Sequence, residues 1–397
     1  MVVGKEKLDH SSPTIIIANH PASFLDAMVL AVFLGRPLHF YVRGDIFSHP
    51  LARWVLSRLH MIPIYSIEHG LNNLAKNKNT FDRGQQLLND GNMLLIFPEG
   101  FSRFSKELAP FKKGASRVAL QTAFDQQFKG ALIIQTVSIN YSFHGFRSIL
   151  NIRVGDSMEI SGYKESYLST PNHAIAALNK EMMNLFEKNV IHIKQGNRTS
   201  FVERLGMLML SNERNGEIYF ARFRQLCEYV SSLNEDDFNS KKDNLNTYEE
   251  LLKKSALTND AMQNEKAFSL LKYLLLFISF PLFLIGFMLW HIIYIVSKKI
   301  ADNTVTREDF YTSVFCGVLG VLGFIWWIAI SCIALSLDIF PVFVIAFLSP
   351  FMYMLSLYWM EAWKKMLTFF RMKRLIKREK KEYDNLLSAR EFLRDIQ

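Results

Sequence analysis

The sequence predicts an α/β domain, a mixed sheet flanked by helices, followed by a C-terminal α-helical membrane region. Three observations carry this reading. Short apolar runs alternate with helical patterns from residue 14 to about 195. A polar, helix-patterned stretch follows, with charged runs such as NEDDFNSKKDN. From residue 273 the composition shifts to three apolar runs of about 20 residues or more with few or no charges, the length a bilayer's hydrocarbon core requires.

The strand candidates are Thr14 to Ala18, His39 to Val42, Met61 to Tyr65, Asn92 to Phe97, Ala131 to Ile139 and Ser148 to Val154. The helix candidates between and after them are Phe24 to Leu34, Pro50 to Leu59, Thr80 to Asn89, Gly114 to Phe128 and Pro171 to Ile193. Only SFHGFR separates the last two strands, so a hairpin competes with a crossover there and a purely parallel sheet is not expected. The domains expected are 1–199 for the α/β part, 200–268 for a polar helical spacer, 269–363 for the membrane region and 364–397 for a basic amphipathic tail helix.

Within the membrane region the runs are Tyr273 to Val296, Tyr311 to Leu337 and Ile339 to Met360. A soluble core rarely holds three such runs in succession. Lysines flank both ends of the first run, and Pro281 lies inside it. That pattern suggests a re-entrant or interfacial first segment and a crossing hairpin of the other two, turned near Asp338. The tail segment RMKRLIKREKK favours the cytoplasmic side and an anionic leaflet. The N-terminus lacks the apolar stretch of a secretory signal, which places the first domain on the cytoplasmic face as well.

A net charge of +9 favours anionic partners, and charge alone does not choose among nucleic acid, phosphorylated metabolites and acidic lipids. The three cysteines, Cys227, Cys316 and Cys332, form neither a disulfide framework nor a zinc spacing. Walker-type and dinucleotide glycine loops are missing too, so no nucleotide, metal or other cofactor is inferred.

Two constellations carry chemistry. In ANHPASFLDA a strand ends at Asn19-His20, Pro21 turns the chain, and Ser23 is placed to cap a helix containing Asp26. A histidine oriented by a carboxylate is a general base for a hydroxyl proton. The same Ser23-x-x-Asp26 spacing also fits a plain capping box, with Asp26 reaching back to the Ser23 amide. In LLIFPEGFSR a strand leads into a proline turn that presents Glu99, Gly100 and Arg103. Glycine allows close backbone approach, and the arginine fork suits phosphate oxygens. The competing reading is a local Glu99–Arg103 ion pair worth about 0.3–0.5 kcal/mol.

Together NHPASFLD and FPEGFSR resemble the first and third signature blocks of the glycerol-3-phosphate and 1-acylglycerol-3-phosphate (lysophosphatidate) acyltransferase family, in the right order and about 80 residues apart. PFKKGASRVAL and NYSFHGFRS extend the likeness toward bacterial members with C-terminal membrane helices. The resemblance implies a glycerolipid acyltransferase-like domain in which His20 is the general base and Asp26 its partner. It implies further that Glu99 and Gly100 shape the acceptor site and that Arg103 contacts phosphate. The implied partners are membrane lipids, acyl-CoA or acyl carrier protein as donor cosubstrate, and lysophosphatidate or glycerol-3-phosphate as acceptor, with no nucleic acid. An integral protein of a bacterial inner membrane follows from the same likeness.

Three positions depart from the family pattern. Five residues separate His20 from Asp26 where the family has four, so the turn must absorb one. Ser66 and Ile67 stand where the second block usually carries an arginine, which leaves Arg43, Lys112 and Lys113 as substitute cations. Thr136 and Val137 replace the proline of the fourth block. The activity expected is acyl transfer to lysophosphatidate in phospholipid biosynthesis. The alternatives are a glycerol-3-phosphate or amino-acid lyso-lipid acyltransferase, or a catalytically impaired lipid-binding scaffold. Ion-coupled transport is disfavoured because the apolar runs lack a charged constellation.

Overall fold

The computed structural model describes residues 1–64, 74–143, 147–263 and 270–396. Two compact units divide the chain: residues 1–199 with 214–224, and residues 200–213 with 225–397.

The first unit is built on a seven-stranded mixed sheet in the order β1-β7-β6-β2-β5-β3-β4. Its strands are β1 (Val2–Val3), β2 (Thr14–Ala18), β3 (Leu38–Arg43), β4 (Met61–Ile64), β5 (Met93–Ile96), β6 (Ile133–Tyr141) and β7 (Leu150–Glu159). Strands β2 to β6 are mutually parallel; β7 turns back antiparallel to β6, and β1 runs parallel to β7. The hairpin alternative is therefore the one adopted. The β6–β7 ladder is irregular between Gln135 and Val137, around the position of the missing family proline, and Thr136 Oγ1 donates to the Asp156 carbonyl there.

Strand β2 shows why the sheet has two cores. Its TIIIA run is buried at every position, as expected of a central parallel strand covered on both faces. Successive side chains alternate faces. Ile15 and Ile17 pack with Leu94 and Ile134 under α3 (Leu74–Asn89), α4 (Gly114–Asp125) and α6 (Pro171–Glu187). Ile16 and Ala18 pack with Phe40, Leu95 and Val137 under α1 (Phe24–Phe33). Pro171 occupies the first turn of α6, where the missing amide has no intrahelical partner to lose. The remaining helices of this unit are α2 (Pro50–Arg58) and α5 (Lys164–Ser169).

Strands β2, β3, β4 and β5 end at one sheet edge, and the loops after β2 and β5, which are neighbours, carry the two motifs. Open α/β sheets bind ligands outside the carboxyl ends of their parallel strands. The arrangement is dictated by topology: α1 carries the chain from β2 past β5 to β3, and α4 carries it from β5 past β2 to β6.

Polar helices continue the chain as α7 (Thr199–Leu210), α8 (Gly216–Ser232), α9 (Glu235–Lys254) and α10 (Asn259–Gln263). Three long helices follow: α11 (Leu270–Thr304), α12 (Glu308–Ser336) and α13 (Phe340–Arg378). Each is long and apolar enough to cross a membrane.

The first segment, expected to be re-entrant or interfacial, does not turn back on itself, because α11 is one unbroken helix through Pro281. A proline withdraws a single amide, and the helix continues on both sides. The turn near Asp338 is present, with that residue at φ +54° between α12 and α13. The tail does not begin as a separate helix at residue 364, since α13 runs on to Arg378 and only then gives way to α14 (Lys380–Arg390). Nothing in that basic stretch breaks a helix.

Small residues set the packing of α11 and α13. A side chain at Gly286 would meet the Met352 backbone at 2.5 Å, and Ser356 Oγ donates to the Phe283 carbonyl at 2.9 Å.

Candidate active site

His20 leaves the end of β2 and Asp26 lies in the first turn of α1, with the extra residue of the motif between them. Ser23 absorbs it. Its backbone adopts φ +51° and ψ −130°, a left-handed conformation rare for a residue with a side chain, and it makes no capping hydrogen bond. The capping-box reading therefore fails. Asp26 reaches the Ala22 amide at 2.8 Å and the His20 ring instead of the Ser23 amide.

The pair is well defined. His20 Nδ1 lies 3.0 Å from Asp26 Oδ2, and the Asp26 side chain is fully buried while 19% of the His20 side chain remains exposed. Tyr141, at the end of β6, donates its hydroxyl to Asp26 Oδ1 at 3.0 Å. Burial pushes the Asp26 carboxyl upward, and the His20 ring, the Ala22 amide and the Tyr141 hydroxyl oppose that push. With Nδ1–H donated to the carboxylate, Nε2 is left as the acceptor, the tautomer a general base needs. Phe97 stacks on the imidazole at 3.8 Å between centroids and 9° between planes, which fixes the ring's second degree of freedom.

Asn19 locks the same loop to the sheet. Its side-chain amide donates to the Ile139 carbonyl and accepts the Ile139 amide, both at 2.8 Å, extending the β2–β6 ladder by one side chain.

The second motif closes on the first through the backbone. The Arg103 amide donates to the His20 carbonyl at 3.0 Å. Glu99 is buried, accepts the Ala109 amide at 3.0 Å and also takes the His20 amide. Its carboxyl is pushed up by that burial, and the two amides work against the shift. Glu99 is thus a brace between loops, not the local ion-pair partner of Arg103. Gly100 holds φ +74° in the turn that its amide closes on the Phe97 carbonyl, and a side chain there would strike Lys112.

Arg103 itself is half exposed. Its Nη2 donates to the Glu107 carbonyl at 3.2 Å and lies 3.8 Å from that residue's carboxylate. Its guanidinium and the Lys112 ammonium approach the Phe101 ring at 6.0 and 5.8 Å. The structure thus brings together His20, Asp26, Glu99, Gly100 and Arg103. Arg43 stands at the end of β3 on the same sheet edge, with its guanidinium bidentate on Asp45 at 3.2 and 2.7 Å. Lys113 is exposed just ahead of α4. Ser66, the position of the family's second-block arginine, lies outside the described residues.

Sequence reasoning missed Tyr141, Phe97 and Asn19 as supports. Asn19 stood beside His20 in the motif and gave a local hint; Tyr141, 115 positions from Asp26, gave none. Tyr141→Phe would leave one oxygen of a buried carboxylate without its donor, and a cost of about 1–3 kcal/mol is expected, measured as a lower midpoint of thermal unfolding. An unchanged midpoint would show that the bond is not needed.

The histidine is held by a buried carboxylate beside a cationic turn, at the carboxyl edge of a mixed sheet. Residues 1–140 match the family model described as Acyltransferase. The chain is similar to the chloroplastic 1-acyl-sn-glycerol-3-phosphate acyltransferases of Brassica napus (30% identity over 122 residues, 30% of this chain and 33% of the relative) and Arabidopsis thaliana (31% over 122 residues, 30% and 32%). It is also similar to a probable 1-acyl-sn-glycerol-3-phosphate acyltransferase of Mycoplasma pneumoniae, at 27% identity over 110 residues, 26% of this chain and 39% of the relative. The chain spans about a third of the length of the plant relatives it matches. Among solved structures, the 1-acyl-sn-glycerophosphate acyltransferase PlsC of Thermotoga maritima aligns over 48% of this chain and 70% of its own, with 17% identity and a TM-score of 0.35.

Proposed function

We propose that this protein transfers a fatty acyl group from a thioester donor to the hydroxyl of 1-acylglycerol-3-phosphate, yielding phosphatidate for phospholipid synthesis. The observation that carries the reading is the His20–Asp26 contact of 3.0 Å with the carboxylate fully buried. His20 Nε2 removes the acceptor's hydroxyl proton as the oxygen attacks the thioester carbonyl. The tetrahedral intermediate collapses with cleavage of the C–S bond, and the imidazolium returns its proton to the departing thiolate. Asp26 keeps Nδ1 protonated and stabilises the imidazolium throughout.

No enzyme nucleophile takes part. Arg103, aided by Lys112 across Phe101, receives the acceptor phosphate in exchange for its contact with Glu107. The donor is acyl-CoA or acyl carrier protein, and the site faces the cytoplasm at a bacterial inner membrane.

The test is the rate of labelled acyl transfer by the full chain in detergent to lysophosphatidate and to glycerol-3-phosphate, from each donor in turn. Faster transfer to lysophosphatidate supports the assignment, and preference for glycerol-3-phosphate moves it to the other acceptor. Arg103→Ala is expected to raise KM for the phosphorylated acceptor about tenfold or more with a smaller change in kcat, the signature of lost uniform binding. Arg103→Lys should recover only part of it, because the ammonium lacks the fork. Wild-type KM in Arg103→Ala would place the phosphate elsewhere.

A further inference from the structure

The second unit contains a cavity of about 550 Å³ that the acyl-transfer chemistry does not use. That volume falls within the roughly 300–1,000 Å³ of small-molecule sites. It lies where α11 begins and α13 leaves its apolar stretch. The two helices run antiparallel: Trp359 Nε1 donates to the Leu276 carbonyl, Ser356 Oγ to that of Phe283, and Trp290 Nε1 to Ser349 Oγ. Rising numbers on α11 thus meet falling numbers on α13.

The cavity is apolar along most of its length and polar at one end. Phe283 and Trp359 stack at 4.1 Å to form a rigid aromatic wall. Leu275, Leu282, Leu355 and Tyr358 line the open side, each about half exposed. On helices of this length and composition such a side faces acyl chains. From Leu355 to Thr368 the α13 wall runs about 20 Å at 1.5 Å per residue.

At the polar end Lys365 Nζ donates to Asn212 Oδ1 at 3.0 Å and lies 3.4 Å from the Glu361 carboxylate. It stands 3.7 Å from Asp260 Oδ2, an ion pair too long to be a hydrogen bond. The other Asp260 oxygen accepts the Ser211 hydroxyl.

We propose that this cavity binds one acyl chain of a zwitterionic phospholipid, with the phosphate against Lys365 and Thr368 and the ammonium against Asp260. The charges select the headgroup. The charged residues lining the cavity are one cation, Lys365, and one carboxylate, Asp260, so an anionic headgroup on Lys365 would bring uncompensated negative charge against Asp260. A zwitterion adds no net charge and satisfies both members of the loose Lys365–Asp260 pair. The chain then follows α13 from Lys365 back to Leu355 and α11 from Leu275 forward to Phe283, in both cases away from the polar end and into the apolar stretch.

The experiment is a native mass-spectrometric titration of the full chain in detergent with phosphatidylethanolamine and phosphatidylglycerol of identical acyl chains. One phosphatidylethanolamine is expected to be retained about tenfold more tightly than phosphatidylglycerol. Ala362→Phe, which fills the cavity, should abolish that retention. Asp260→Asn should keep one bound lipid but lose the headgroup preference. Leu282→Trp, on the opposite helix, is a second filling variant should the first fail to fold. Equal retention of the two lipids by the wild type, or retention that survives both filling variants, would mean annular lipid only and overturn the proposal.

Discussion

His20→Ala is expected to lower turnover by about 100- to 10,000-fold, the usual contribution of a positioned general base, while the domain still folds. The fold should survive because Asp26 keeps two of its donors, the Ala22 amide and the Tyr141 hydroxyl, and because the ring it loses is stacked on Phe97 at the rim of the sheet and not within either core. The loss should appear in kcat, since the imidazole acts on a proton that moves only as the new C–O bond forms. Purified His20→Ala with an unchanged far-ultraviolet dichroism spectrum and near-wild-type turnover would remove the histidine from the mechanism.

Asp26→Asn should be nearly as damaging, with a loss on the order of 1,000- to 10,000-fold and little change in acceptor binding. An amide in place of the carboxylate would turn an NH2 group either toward both the His20 ring and the Ala22 amide, which share Oδ2, or toward the Tyr141 hydroxyl on Oδ1. The imidazole would then be free to take the other tautomer, with Nε2 protonated and unable to accept. The kinetic split is the check. A fall in kcat with a nearly constant KM for the acceptor fits a residue that orients the base, whereas a rise in KM alone would make Asp26 part of the acceptor pocket.

The residues differ in how legible they were. The α/β rhythm was readable because each central strand is a short apolar run closed by a turn signal, and TIIIA and MLLI lie in the sheet as adjacent strands. The two motifs were readable because both follow such strands directly, so chain order alone put them at one edge. Strand β1 was not, since two valines that pair with β7 carry no periodicity of their own.

The geometry between His20 and Asp26 was also hidden. Spacing suggested a misfit of one residue, and only the positive φ of Ser23 shows how the turn takes it up. Glu99 and Arg103 looked like an i,i+4 pair, but the chain after Gly100 does not continue as a helix, and the arginine turns to Glu107. In the membrane region, flanking lysines and a proline suggested a re-entrant or interfacial first segment. A helix tolerates one proline when its other amides stay paired, and α11 is straightforwardly continuous.

The most direct test of the central claim is single-turnover transfer of a radiolabelled acyl group from its thioester to 1-acylglycerol-3-phosphate by the full chain reconstituted in lipid, with wild type and His20→Ala side by side. The account predicts labelled phosphatidate from the wild type, no label trapped on the protein, and product formation slowed at least about 100-fold in the variant. Label covalently held on the protein, or equal rates in the two proteins, would contradict it.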